Sequence, residues 1–157
     1  MVFLLLVTGC QVDVPGADSP PANLQPGEVA FSYAAPDAPA LVVPVTINGV
    51  GPFDLVLDTG ATITCIDSVL RDSLDLPEGD GLSGLGMGVG SSSEIDIVMI
   101  DSMQVGSATV GKMPVCVIDL QQFRSAGMDI HGLLGLNFLR GFKVTLDFER
   151  EVMRLEL

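Results

Sequence analysis

Phe53-Asp54-Leu55-Val56-Leu57-Asp58-Thr59-Gly60-Ala61-Thr62 is the stretch from which the rest of the chain can be read. Its apolar run, rich in Leu and Val, predicts a buried strand. That strand delivers one carboxylate, Asp58, straight into a Thr-Gly turn. An acid at the end of a buried strand is costly unless it is paired or hydrogen-bonded. Gly60 lets backbone N–H groups approach the carboxylate closely, and the Thr59 hydroxyl can anchor the turn. Asp54 marks the solvent end of the strand.

Working outward, Leu41–Ile47 and Phe53–Asp58 are strand-like runs joined by Asn48-Gly49-Val50-Gly51-Pro52, a cluster of turn formers that predicts a hairpin. The β-branched run Thr62–Ile66 predicts the next strand. Asp67 is then placed to cap a short helix that carries Val69, Leu70 and Leu74 and ends at Pro77. Glu94–Met103 and Val110–Leu120 are again strand-like, separated by a turn at Gln104-Val105-Gly106-Ser107. Alternation in the first puts Ile95, Ile97 and Met99 on one side and Asp96, Val98 and Ile100 on the other. A polar loop spans 121–129, a short helix is expected over Asn137–Arg140, and the chain closes with a hairpin of Lys143–Phe148 and Val152–Leu157.

Composition narrows the function classes. The chain has 157 residues, 48% of them hydrophobic and 17% charged, enough for one core and too short for two full domains. A formal charge of -13 repels phosphate backbones and anionic headgroups, so no nucleic-acid partner is expected. The three cysteines, Cys10, Cys65 and Cys116, form no paired motif, so no metal and no cofactor is expected. A triad built on the single histidine, His131, would need Cys65 or Cys116 as nucleophile, and neither has a helix N-terminal or elbow-like context. His131 is expected at a cleft rim or on the surface.

Asp58-Thr59-Gly60-Ala61 behind an apolar strand resembles the active-site loop of aspartic proteases. His131-Gly132-Leu133-Leu134-Gly135-Leu136-Asn137-Phe138-Leu139 in turn resembles the hydrophobic-hydrophobic-Gly segment and short helix of retropepsin-like members of that family. The resemblance covers roughly residues 41–157 and contains one Asp-Thr-Gly where a two-lobed chain would carry two. It implies an all-β fold, a single-lobe retropepsin-like β-barrel with one or two short helices. It also implies a homodimer, because hydrolysis of a peptide substrate needs two carboxylates and each chain brings Asp58. Thr59 would brace the paired loops, Gly60 would donate its N–H to the carboxylate, and Ala61 and Thr62 would complete the loop beside substrate. His131, Leu133, Leu134 and Gly135 would wall the cleft. The six glycines of Gly79–Gly90 read as a flap over bound peptide that includes Gly84, Leu85, Gly86, Met87 and Gly88, or as an ordinary flexible loop. The terminal hairpin is the expected partner surface. A membrane-tethered module that binds peptides through the same fold without cutting them is the alternative.

The N-terminal part reads differently. Met1–Cys10 is an apolar run too short to span a bilayer as a helix and suited to a signal-peptide core. Val7-Thr8-Gly9-Cys10 resembles the bacterial lipobox, which implies removal of residues 1–9, a lipid on Cys10, and anchoring in the cell envelope. The envelope site would be the outer side of the cytoplasmic membrane or the outer membrane. Residues 10–40 hold six of the ten prolines and read as a tether, in which Phe31-Ser32-Tyr33 alone suggests a short edge strand. The protease-like domain is accordingly expected over 41–157. Export would permit a Cys65–Cys116 disulfide, and two buried free thiols fit the sequence equally well.

Overall fold

A computed structural model describes residues 23–77 and 96–157 of the chain. The expected leader, Cys10, the first part of the expected tether and the expected flap residues Gly84, Leu85, Gly86, Met87 and Gly88 lie outside the described residues.

In chain order the elements are β1 (Glu28–Ala30), β2 (Ser32–Ala35), β3 (Ala38–Ile47), β4 (Val50–Leu57), β5 (Cys65–Asp67), α1 (Leu70–Ser73), β6 (Asp96–Ile100), β7 (Met103–Val105) and β8 (Ala108–Val110). They continue with β9 (Met113–Ile118), α2 (Gln121–Ser125), β10 (Gly132–Leu134), α3 (Leu136–Leu139), β11 (Lys143–Asp147) and β12 (Val152–Glu156). One sheet has the order β6-β9-β5-β10-β4-β3-β7-β8 with β2 also on β3; the other is β1-β12-β11. Most ladders are antiparallel, but β10 runs parallel to β4, and β5 parallel to β9.

The β3–β4 hairpin turns at Asn48-Gly49, whose φ values of 51° and 77° suit the tight turn that Asn-Gly favours. Inward positions alternate along β3, where Val43, Val45 and Ile47 are fully buried, and meet Leu55, Ile66, Ile100, Met103, Leu134, Phe138 and Met153 in one core. Each large side chain so placed contributes roughly 1.5–3 kcal/mol of burial.

Several expectations shift. The sheet begins well before residue 41: β1 pairs with β12 and β2 with β3, so residues 28–40 belong to the folded body and not to the tether. Phe31 supplies the reason, being 4% exposed and packed edge-on against Tyr33 and Phe148. The run Glu94–Met103 is interrupted at Asp101-Ser102, whose N–H groups both donate to Asn48 Oδ1 (2.8 and 3.1 Å). Its buried side is that of Val98 and Ile100, while Met99 is exposed. Thr62–Ile66 forms a strand only from Cys65 onward. Asp67 is no helix cap: α1 has Val69 at its N-cap position, and the Asp67 carboxylate is buried in an ion pair with Arg124. That pair pins α2, a helix inside the segment read as a polar loop. Cys65 and Cys116 are register partners on β5 and β9 and form a disulfide.

Glu28 fastens β1 to the terminal hairpin. Its carboxylate accepts two bonds from the Arg150 guanidinium (2.9 Å each), one from the Gln25 N–H (2.8 Å) and one from Arg154 (2.8 Å). These contacts, Arg150 foremost, lower its pKa from 4.5 to about 2. A carboxyl whose pKa falls on folding adds stability that is complete above its unfolded value and is lost as pH falls through the folded one. Wild-type stability is therefore expected to decline from about pH 4.5 towards pH 2 more steeply than that of Glu28→Gln. Denaturant midpoints across that range check this; parallel curves would remove Glu28 as the cause.

Candidate active site

The parallel pairing of β4 and β10 sets Leu55, Val56 and Leu57 beside Gly132, Leu133 and Leu134. Because side chains alternate, Val56 and Leu133 share one half-buried face while Leu55 and Leu134 point into the core. Asp58 follows at the end of β4 on the side of Val56, and its N–H donates to Leu134 O (3.0 Å). The chain then turns: Gly60 N–H donates to Asp58 Oδ1 (2.8 Å) and Ala61 N–H to Asp58 O (3.3 Å). The expected bond from Gly60 to the carboxylate is thus formed. Thr59, Gly60 and Thr62 are exposed, leaving the carboxylate on an open loop.

The loop is held from below by the segment after β10. Leu136 N–H donates to Ala61 O (2.8 Å), and Asn137 N–H to Thr62 O (3.1 Å). Gly135 lies so close that an added Cβ would sit 2.7 Å from Ile63 C and 2.8 Å from Thr64 N, so only glycine fits beneath the loop. Gly135→Ala must push these backbones apart, at an expected cost of about 1–3 kcal/mol. Denaturant unfolding measures it, and an unchanged midpoint would show that the loop yields freely.

Of the four residues expected to wall a cleft, the structure leaves Leu133 and His131 available. Leu134 is fully buried in the core, and Gly135 is buried under the loop. His131 extends the Leu133 face to the far end of the strand pair. Its ring lies 5.9 Å from that of Phe53, its Nδ1 is 3.4 Å from the Asp54 N–H that donates to it, and its Nε2 is 3.7 Å from Asp129. Desolvation raises the Asp54 carboxyl above its ordinary range; His131 opposes that shift and Asp129 adds to it.

Two further polar residues, Thr64 and Asn137, stand behind the loop. Thr64 is fully buried: its N–H and its hydroxyl both donate to Asn137 Oδ1 (2.8 Å each), and Gly135 N–H donates to the hydroxyl oxygen (3.0 Å). Asn137 Nδ2 donates in turn to Pro114 O (2.8 Å). A polar residue inside a β-branched run was the available signal, since a buried hydroxyl needs a partner.

The loop offers one acid on an accessible turn, with backbone donors fixing its position, which suits acid-base chemistry on a bound chain. Comparison with known proteins agrees. A family model described as aspartyl protease matches residues 43–138. Among solved structures, a retropepsin-like aspartic protease from Rickettsia conorii is similar with a TM-score of 0.54 at 19% identity, over 82% of this chain and 90% of that one. The retroviral protease-like domain of Ddi1 from Leishmania major is similar with a TM-score of 0.51 at 18% identity, over 74% and 87%. These likenesses establish the single-lobe retropepsin-like fold. None of the curated proteins matches in sequence.

Proposed function

Because the chain belongs to the aspartyl protease family, we propose that it is an aspartic endopeptidase whose site is completed in a homodimer by Asp58 of each protomer. The observation that carries this reading is the Asp58 loop: an exposed turn, a carboxylate held by the Gly60 N–H, and one such acid per chain. A two-fold axis through the loops would bring the two carboxylates together in an isologous interface. At about 3 Å they cannot both ionise, so the pair shares a proton. The ionised member takes a proton from a water held between them as that water attacks the peptide carbonyl. The protonated member stabilises the developing oxyanion and then supplies the proton that the leaving amine requires.

The terminal hairpin supports the dimer reading. β12 lies between β1 and β11, so β11 is one of the two edges of that sheet among the described residues, and Val144 on it is exposed. An open edge with an apolar side chain suits pairing with a second copy. A peptide-library digest at several pH values, with and without a pepstatin-like inhibitor, tests the activity. Inhibitable cleavage by the purified protein is expected; binding without cleavage at any pH would replace the endopeptidase by a peptide-binding module.

Val7-Thr8-Gly9-Cys10 further supports a bacterial envelope protein anchored by a lipid on Cys10. A Cys65–Cys116 disulfide fits the oxidising compartment such a protein would occupy. Cys10→Ser is expected to release the protein from the membrane fraction or leave it unprocessed. Equal mass and equal fractionation of variant and wild type would exclude the anchor.

A further inference from the structure

We infer that Thr64 and Asn137 are positioning residues for Asp58, joined in a half-buried side-chain lock that sets where the acid is presented. This rests on the peptidase reading above.

The Asp58 loop has no core of its own. Apart from the Cys116 N–H on Thr64 O, its backbone contacts to the rest of the fold fall on four consecutive residues: Asp58 N–H on Leu134 O, Gly135 beneath Ile63 and Thr64, Leu136 N–H on Ala61 O, and Asn137 N–H on Thr62 O. The height and tilt of the acid therefore follow from how segment 58–64 is registered on segment 134–137. Backbone bonds of this kind tolerate a small slide, because each carbonyl oxygen accepts over a broad range of directions.

The Thr64–Asn137 lock removes that slack. The Thr64 hydroxyl has one proton and uses it on Asn137 Oδ1, while its oxygen receives the Gly135 N–H. Asn137 Oδ1 also accepts the Thr64 N–H, and its Nδ2 donates to Pro114 O on β9. The amide is thereby fixed in orientation, since the Thr64 N–H requires an oxygen and Pro114 O requires a donor. The Thr64 end of the lock is fully satisfied and 0% exposed, and satisfied polar networks specify one arrangement over near alternatives. Pro114 O completes a tie from the exit of the catalytic loop, through α3, to β9. That strand is fastened independently to β5 by the Cys65–Cys116 disulfide and by the Cys116 N–H on Thr64 O (2.9 Å).

The consequence for chemistry is specific. Two acids that share a proton across a dimer axis couple by distance, so a displacement of each loop changes their spacing twice over. Misplacement by about 1 Å is expected to cost on the order of 100-fold in turnover. It also alters the separation between the two apparent pKa values of the pair, and with it the width of the pH profile. A role confined to stability would lower the unfolding midpoint and leave both quantities unchanged per folded site.

The test uses the full chain in four forms: wild type, Thr64→Val, Thr64→Ser and Asn137→Ala. Thr64→Val keeps the shape and removes the hydroxyl; Thr64→Ser keeps the hydroxyl. In Thr64→Val and Asn137→Ala, kcat is expected to fall by about 10- to 100-fold per folded site with KM changed by less than about threefold, and the pH profile to change width. Thr64→Ser should restore both. Amide hydrogen exchange at Asp58, Leu136 and Asn137, read in parallel, should be faster in Thr64→Val and Asn137→Ala and near wild type in Thr64→Ser. Unchanged kcat, profile and exchange in either disruptive variant that folds would overturn the lock. If both unfold, Thr64→Ser decides at residue 64: wild-type turnover and exchange support the lock, and loss of either overturns it. If wild type cleaves nothing while exchange still responds, the peptidase reading fails and the lock stands.

Discussion

Asp58→Asn is expected to abolish peptide hydrolysis, with a loss of at least about 1,000-fold, while leaving the fold and the dimer intact. The amide is nearly isosteric with the carboxylate and can still accept the Gly60 N–H bond that shapes the turn. It can neither take a proton from water nor give one to a leaving group. The loss should appear in kcat, because under the proposed mechanism the acid acts on the reacting bond in the transition state. Kinetics on a cleaved library peptide, with dimer content read by sedimentation, measure both halves of the expectation. Residual activity near that of wild type would move the chemistry to another acid, Asp101 and Asp129 being the first to replace.

Reduction of the Cys65–Cys116 disulfide is expected to remove roughly 4 kcal/mol of stability, from the entropy of closing a loop across 51 positions. Both cysteines are buried, so reduction should require denaturant or strong reductant and should not occur on exposure to a mild thiol. Urea unfolding of the oxidised and the fully reduced chain checks the magnitude, and peptide mapping after alkylation without reductant checks the pairing. Equal midpoints would mean that the cross-link contributes nothing beyond the strand pairing around it. A large difference would tie the folded state to an oxidising compartment, as the envelope proposal requires.

What the sequence made legible was local. The hairpin around Asn48-Gly49, the apolar strand into Asp58 and the terminal hairpin each announce themselves through alternation and turn formers within a dozen residues. The body of residues 28–40 did not. β1 is fixed by Glu28, which meets Arg150 and Arg154 across 122 and 126 positions, and the prolines around it outweigh the few apolar residues that anchor it. Asp67 looked like a cap because it precedes a helical pattern; its buried pairing with Arg124 depends on α2 folding back over β5. Leu134 read as cleft wall because it sits in the motif, and its burial follows from the parity of a parallel ladder with β4 that no local pattern reveals. Thr64 and Asn137 are 73 positions apart and meet only once β10 has been inserted between β4 and β5.

The proposed site needs two chains, each supplying one Asp58, and subunit mixing tests that most directly. Wild-type and Asp58→Asn chains are mixed in varying ratio at constant total concentration, subunit exchange is verified with a mass-tagged chain, and turnover is measured. If only wild-type dimers are active, turnover should follow the square of the wild-type fraction, so an equal mixture retains about a quarter of full activity. A strictly linear fall, with exchange demonstrated, would mean that each chain works alone and would contradict the shared site.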